Sequence, residues 1–130
     1  MKRLSRIVPL ISVGVLLALA LLPASAPANP AAATISFVGG GTLLSDGTVE
    51  VTLHYSCLPP SGEIDAYLDE SGTAFGSSVP RLAICDGRNH SVTMNMVPGP
   101  FTPGIAAGTA TVFNDTGGAV AYTNDQVTIK

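Results

Sequence analysis

The 130-residue sequence predicts an all-β fold, a two-sheet antiparallel β-sandwich of seven to eight short strands stapled by one disulfide. Three observations carry that expectation. Apolar and polar residues alternate with a period of two in run after run, the pattern of half-buried strands. Glycines and prolines recur between those runs, where they mark turns. Beyond residue 33 no segment sustains the 3.6-residue apolar period of a helix. The same strands could also close into a small barrel.

Lys2, Arg3 and Arg6 give the chain a basic start, and residues 7–22 form an apolar run followed by small residues. This is the layout of a secretory signal peptide, expected to span 1–28 with cleavage after Ala26-Pro27-Ala28. Cleavage after Ala26 or Ala33 is an alternative, as is a retained membrane anchor. The run is shorter than the ~20 residues a spanning helix needs, and no basic stop-transfer patch follows. No cysteine lies near the cleavage site, and the last residues show neither a hydrophobic tail nor a sorting motif. The expected product is therefore secreted, extracellular and free of the membrane after cleavage.

Residues 29–33 read as a flexible lead-in, and 34–130 as one β domain. Residues 34–38 are β-branched and aromatic and are stopped by Gly39-Gly40-Gly41; Ser45-Asp46-Gly47 then signals a turn. From 48 to 57 the alternation is nearly complete: Val49, Val51, Leu53, Tyr55 and Cys57 share one face, and Glu50, Thr52, His54 and Ser56 the other. Pro59-Pro60-Ser61-Gly62 is a turn that no strand continues through. Ile64, Ala66 and Leu68 then alternate with Asp65, Tyr67 and Asp69.

Residues 72–78 are small and polar around Phe75, the composition of a loop or weak edge strand, and 81–85 form another short strand. After the Asp86-Gly87 turn, His90, Val92, Met94 and Met96 alternate with Ser91, Thr93, Asn95 and Val97. Residues 98–104, with three prolines, make a stiff connection. In 105–114, Ala106, Gly108, Ala110 and Val112 oppose Thr109, Thr111 and Phe113, and the pattern leaves open which face is buried. Residues 114–118 form a hairpin turn, and 119–123 with 126–129 a broken last strand.

From Asn29 onward, Arg81, Arg88 and Lys130 stand against nine acidic residues, a net charge of −6 with histidine neutral. A nucleic-acid binder brings clustered Lys and Arg to phosphate, so that class is excluded, and an acidic membrane surface is disfavoured. Two cysteines in an exported chain favour a Cys57–Cys85 disulfide. Intermolecular pairing, or a Cys57/Cys85/His90 metal cluster lacking an evident fourth ligand, are the alternatives.

A strict immunoglobulin domain carries a buried tryptophan beside its disulfide, and this chain has no tryptophan, so only an immunoglobulin-like architecture carries over. Cys57-Leu58-Pro59-Pro60, Cys85-Asp86-Gly87 with His90, and Pro98-Gly99-Pro100-Phe101 before a Gly/Ala/Thr strand resemble small exported actinobacterial proteins. That family consists of predicted immunoglobulin-like sandwiches without an assigned function. The resemblance implies secretion and a sandwich, and brings no catalytic residues. Leu44-Ser45-Asp46-Gly47-Thr48-Val49 is also similar to the opening hairpin of the neocarzinostatin-type apoproteins, secreted sandwiches that carry an enediyne chromophore. Those have two disulfides, whereas this chain can form one.

No catalytic, cofactor-binding or metal-binding set is expected. The sequence lacks a G-x-S-x-G elbow, an H-E-x-x-H pair, a phosphate-binding glycine loop and an EF-hand loop. His90 with Asp86 could orient an imidazole for base catalysis, but the reading preferred is a strand-opening histidine bonded to the turn backbone, with Asp86 capping that turn. His54 is expected on a solvated surface. Glu63, Asp65 and Asp69 share a strand face with Tyr67 and could approach Ca²⁺, yet they spread along about 20 Å and read as a solvated face. The sequons at Asn89 and Asn114 matter only in a eukaryotic secretory route.

The function expected is a non-enzymatic, monomeric extracellular binding or interaction module of unknown protein or small-ligand partner. Its contacts would come from the loops 59–62, 72–80, 98–104 and 114–118. The alternative is a small apolar ligand or chromophore carrier with a cleft lined by Tyr67, Phe75, Phe101 and Phe113. A carrier predicts a concave apolar pocket, a module flat or convex surfaces.

Overall fold

A computed structural model describes residues 33–130, so the expected signal peptide (1–28) and most of the lead-in lie outside the described residues. The alternating runs become eight strands: β1 (Thr34–Leu43), β2 (Val49–Ser56), β3 (Gly62–Asp69), β4 (Phe75–Ser77), β5 (Arg81–Ala83), β6 (His90–Pro98), β7 (Gly104–Phe113) and β8 (Ala119–Ile129). Among the described residues there is no helix, hence none long and apolar enough to cross a membrane. The all-β expectation and the strand count hold.

Side-chain alternation decides which face is inside. On β2, Val49, Val51, Leu53 and Tyr55 are buried while Glu50 and His54 are exposed. On β3, Ile64, Ala66 and Leu68 point inward, and Met94 and Met96 do so on β6. The face of β7 left open by the sequence is now assigned: Ala106, Gly108, Ala110 and Val112 are buried. Their small size has a cause. A Cβ added at Gly108 would come within 2.9 Å of the Phe37 ring and 2.7 Å of Val127, so β1 lays Phe37 across β7 where side chains are missing.

The closure differs from the expected two-sheet sandwich. Hydrogen-bonded neighbours run β4–β6–β2–β1–β8–β7–β3, and β4 also pairs with β3, so seven strands close into a barrel, with β5 beside β3. Every pairing is antiparallel except the parallel contact of β1 with β8. Two corners make the ring. At one, β4 pairs Tyr67, Leu68 and Asp69 of β3 and also Val97 and Pro98 of β6. At the other, β1 pairs with β2 and touches β8 at Gly41 and Ile129.

Both corners correct local expectations. β1 does not stop at Gly39; it runs on to Leu43 through a register shift between Val38 and Thr42. A Cβ at Gly40 would collide with the Thr128 carbonyl oxygen, so the close approach of β1 to β8 requires glycine there. Residues 75–77, expected in a loop or weak edge strand, form β4, which is paired on both sides instead of standing at an edge, and β8 is continuous across 119–129 where a break was expected. Conversely, the strand expected over 81–85 ends at Ala83, so Cys85 lies outside any strand.

Three hairpins share one backbone pattern. In 44–48, 70–74 and 114–118 the first residue's amide donates to the fifth residue's carbonyl, and the fourth residue's amide donates to the first residue's carbonyl. Gly47 and Gly117 sit at φ of +83° and +85°, as their turns demand. The 98–104 connection also supplies core: Phe101 is buried, with its amide on the Gly47 carbonyl at 2.8 Å and its ring over Gly76.

Gly40→Ala should destabilise the fold by about 1–3 kcal/mol, the usual cost of overpacking a filled site, read by denaturant unfolding. A change within experimental error would show that β1 and β8 do not need this approach. Cys57→Ser should cost about 3.5 kcal/mol and lower Tm by roughly 15–25 °C for a domain of this size. An unchanged Tm would mean the bridge is not a staple.

Candidate functional site

The chemistry-bearing residues gather where β2 ends and β6 begins. Tyr55 closes the inner row of β2, and Cys57 follows at the barrel end. Cys57 and Cys85 form the expected disulfide, with Cα atoms 4.5 Å apart. The bridge consumes both thiolates, so a Cys57/Cys85/His90 metal cluster is ruled out. Around it the backbone is held by named bonds: Gly87 donates to the Cys57 carbonyl at 2.8 Å, and Ile84 donates to the Tyr55 hydroxyl at 3.0 Å. A buried tyrosine thereby finds a partner for its polar end.

Beside the bridge lies a cleft of about 420 Å³, lined by Ala33, Leu58, Pro59, Pro60, Phe113 and Val120 together with the two cysteines, Asn114 and Asp115. Its wall is mostly apolar, and its size falls in the range of small-molecule sites. A second groove of about 410 Å³ crosses the outer face of β3 and β7, between Asp65, Tyr67, Ser77, Thr109, Thr111 and Phe113. The four aromatic residues expected to line one carrier cleft are not brought together. Phe101 is in the core, Tyr67 and Phe75 stack edge-on at 4.9 Å on the outside, and Phe113 stands between the two clefts.

His90 opens β6 and places Nε2 2.7 Å from Asp86 Oδ1. The histidine therefore bonds the carboxylate, not the turn backbone, while Asp86 does cap the turn by accepting the Arg88 amide at 2.9 Å. The hydrogen bond from His90, and next the one from the Arg88 amide, hold the Asp86 carboxyl below its ordinary range. The pair is oriented as an acid–base dyad would be, but His90 lines neither cleft. Its ring lies 5.7 Å from that of Tyr55, whose hydroxyl is already occupied by Ile84. His54 is exposed on β2.

Glu63, Asp65 and Asp69 lie outside the barrel on β3, spaced along the strand. Among the described residues no three His, Cys, Asp or Glu side chains gather as a metal site. Asn89 is exposed. The Asn114 Oδ1 is engaged in its own turn, accepting from the amides of Thr116 and Gly118 and from the Thr116 hydroxyl.

Sequence reasoning did not single out Glu70. It is buried, and its two carboxylate oxygens accept from the Thr102 amide (2.8 Å) and hydroxyl (2.9 Å), tying the β3–β4 turn to the 98–104 connection. A glutamate after an alternating strand carries no sign of such a partner 32 residues away. Ser78 is similarly buried, accepting the Ala66 amide through its hydroxyl.

Because its folded pKa lies below the ordinary value of 3.8, Asp86 contributes stability that is present above about pH 4 and lost as pH falls through the lowered value. A carboxyl-carbon NMR titration should place its midpoint below 3.8, and His90→Ala should move that midpoint upward. No movement would remove the imidazole as the main cause. Comparison with known proteins assigns no family: no family model matches the chain, and no curated protein matches it.

Proposed function

We propose that this protein is a secreted, non-enzymatic binding module that meets an extracellular partner through the segment 79–84. The observation that carries this reading is the exposure of Val79 (73%), Leu82 (75%) and Ile84 (55%) within six residues. A barrel with a filled interior has no internal reason to leave three large apolar side chains in water, and such exposure marks contact surfaces. The segment is held in its middle by the pairing of 81–83 with β3 and at its end by the disulfide at Cys85. A surface so anchored loses little further freedom on binding. Export is supported by the disulfide, which persists in oxidising compartments, and by the resemblance to small exported actinobacterial immunoglobulin-like proteins. The described residues carry an acidic surface with three basic side chains, a balance that suits neither nucleic acid nor anionic lipid.

A second reading has its own observation. The apolar cleft of about 420 Å³ beside the disulfide is large enough for a small hydrophobic molecule, which would make the protein a carrier.

Native mass spectrometry of the protein purified from its own culture medium separates the two. The module reading expects a macromolecular partner that is lost from a Val79→Ser, Leu82→Ser, Ile84→Ser variant whose Tm stays within about 2 °C of the parent, as surface substitutions normally allow. A small-molecule adduct released on denaturation, and retained by the triple variant, would overturn it in favour of the carrier.

A further inference from the structure

The longest strand of the barrel has one side free. β8 has 11 residues and pairs with β7 along its length, whereas its other side, though β1 runs close by, is paired with β1 at Gly41 and Ile129 alone among the described residues, with Lys130 donating to the Gly41 carbonyl. Upstream of that point β1 pairs with β2, with Thr34 to Val38 opposite Ser56 to Thr52. Strand amides alternate in direction. The set that points toward β1 at Lys130 and Thr128 therefore continues to Gln126, Asn124 and Tyr122, whose N–H and C=O groups face the open side. Among the described residues no strand pairing joins these three positions to β1, whose pairing with β8 is Gly41 with Ile129.

Natural edges are blunted by lysine, by proline or by shortness. Between Ala119 and Ile129 there is no proline and no basic residue, and Tyr122 and Val120 are exposed beside the open side. The one charge on the strand is Asp125, exposed and bonded only to the Thr123 hydroxyl at 2.9 Å. Asp115 stands in the turn that leads into the strand, and β1, across the gap, carries no charge at all. A strand entering here meets unpaired amides, apolar and aromatic contacts, and negative charge without a counter-charge. A second copy, with a net charge of −6 from Asn29 onward, would bring like charge to like.

We infer that the free side of β8 binds an extended, lysine- or arginine-bearing polypeptide segment of another protein by strand addition. Main-chain hydrogen bonds to Tyr122, Asn124 and Gln126 supply the register, Tyr122 and Val120 contact alternate side chains, and Asp125 selects basic residues. This surface is separate from residues 79–84 and does not depend on them.

The test uses the secreted protein and an acetylated, amidated heptapeptide alternating lysine and valine, with a glutamate–valine heptapeptide as control. The lysine peptide should slow hydrogen exchange at the amides of Tyr122, Asn124 and Gln126, the glutamate peptide should not, and added salt should weaken the effect. Asn124→Pro removes an edge amide without removing a β7 hydrogen bond, and should weaken binding by roughly tenfold or more. Asp125→Lys, at an exposed position, should shift preference to the glutamate peptide and serves if the proline variant does not fold.

Absence of binding overturns the inference, as does binding that leaves those three amides fast or that treats both peptides alike. Amides already protected in the free protein overturn it too, by a second copy if protection grows with concentration and by the protein's own chain if it does not. The triple serine variant at 79–84 should bind the lysine peptide like the parent. If it loses the peptide while Asn124→Pro keeps it, the edge inference falls and the 79–84 contact stands.

Discussion

Two strands that would otherwise be edges are brought close enough to pair, and the barrel depends on that approach. At Gly40 the backbone of β1 comes so near the Thr128 carbonyl that a Cβ would collide with it; at Gly76 the backbone of β4 lies against the Phe101 ring, 2.9 Å from where a Cβ would stand. In each case glycine is needed because a neighbour occupies the space of a side chain. The rest follows from these contacts. β1 shifts register against β2 between Val38 and Thr42, β4 bridges β3 to β6, and the inward row of Val49, Val51, Leu53 and Tyr55 becomes enclosed.

Polar groups are managed with the same economy. Among the described residues no buried side-chain nitrogen or oxygen lacks a hydrogen-bond partner. Glu70 places both carboxylate oxygens on Thr102, Ser78 substitutes for a strand partner at Ala66, and the Tyr55 hydroxyl takes the Ile84 amide. The Ser78 and Tyr55 bonds join a connection to the barrel wall, and the Glu70 bonds join a turn to a connection. Loops in a small β domain have few apolar contacts of their own, so a satisfied buried polar group is an effective way to fix them.

Strands whose alternation survives along their length were legible. Val49 to Cys57 and Ile64 to Leu68 announce their inner faces, because burial on one side imposes a period of two. The bridge between Cys57 and Cys85 was legible because the chain offers one intramolecular pairing. What stayed hidden was the closure. Gly39, Gly40, Gly41 and Gly76 look like interruptions in a one-dimensional pattern, yet in space they are where strands cross. Phe101, amid prolines, gave no periodic sign of being core. At the candidate site the dyad of His90 and Asp86 was readable as a local motif. The cleft beside the disulfide was not, since Ala33, Pro59 and the Phe113–Val120 hairpin come from three separate parts of the chain.

The position of the disulfide has a further consequence. Cys57 and Cys85 enclose β3, β4 and β5, so the strand that closes the ring and the exposed segment 79–84 both lie within one covalent loop. A protease that cuts this loop once opens it without releasing either piece. The two fragments stay joined through sulfur, and each still holds a share of the barrel ladder. In surroundings rich in proteases, the exposed segment 79–84 thus lies where a single break does not divide the molecule.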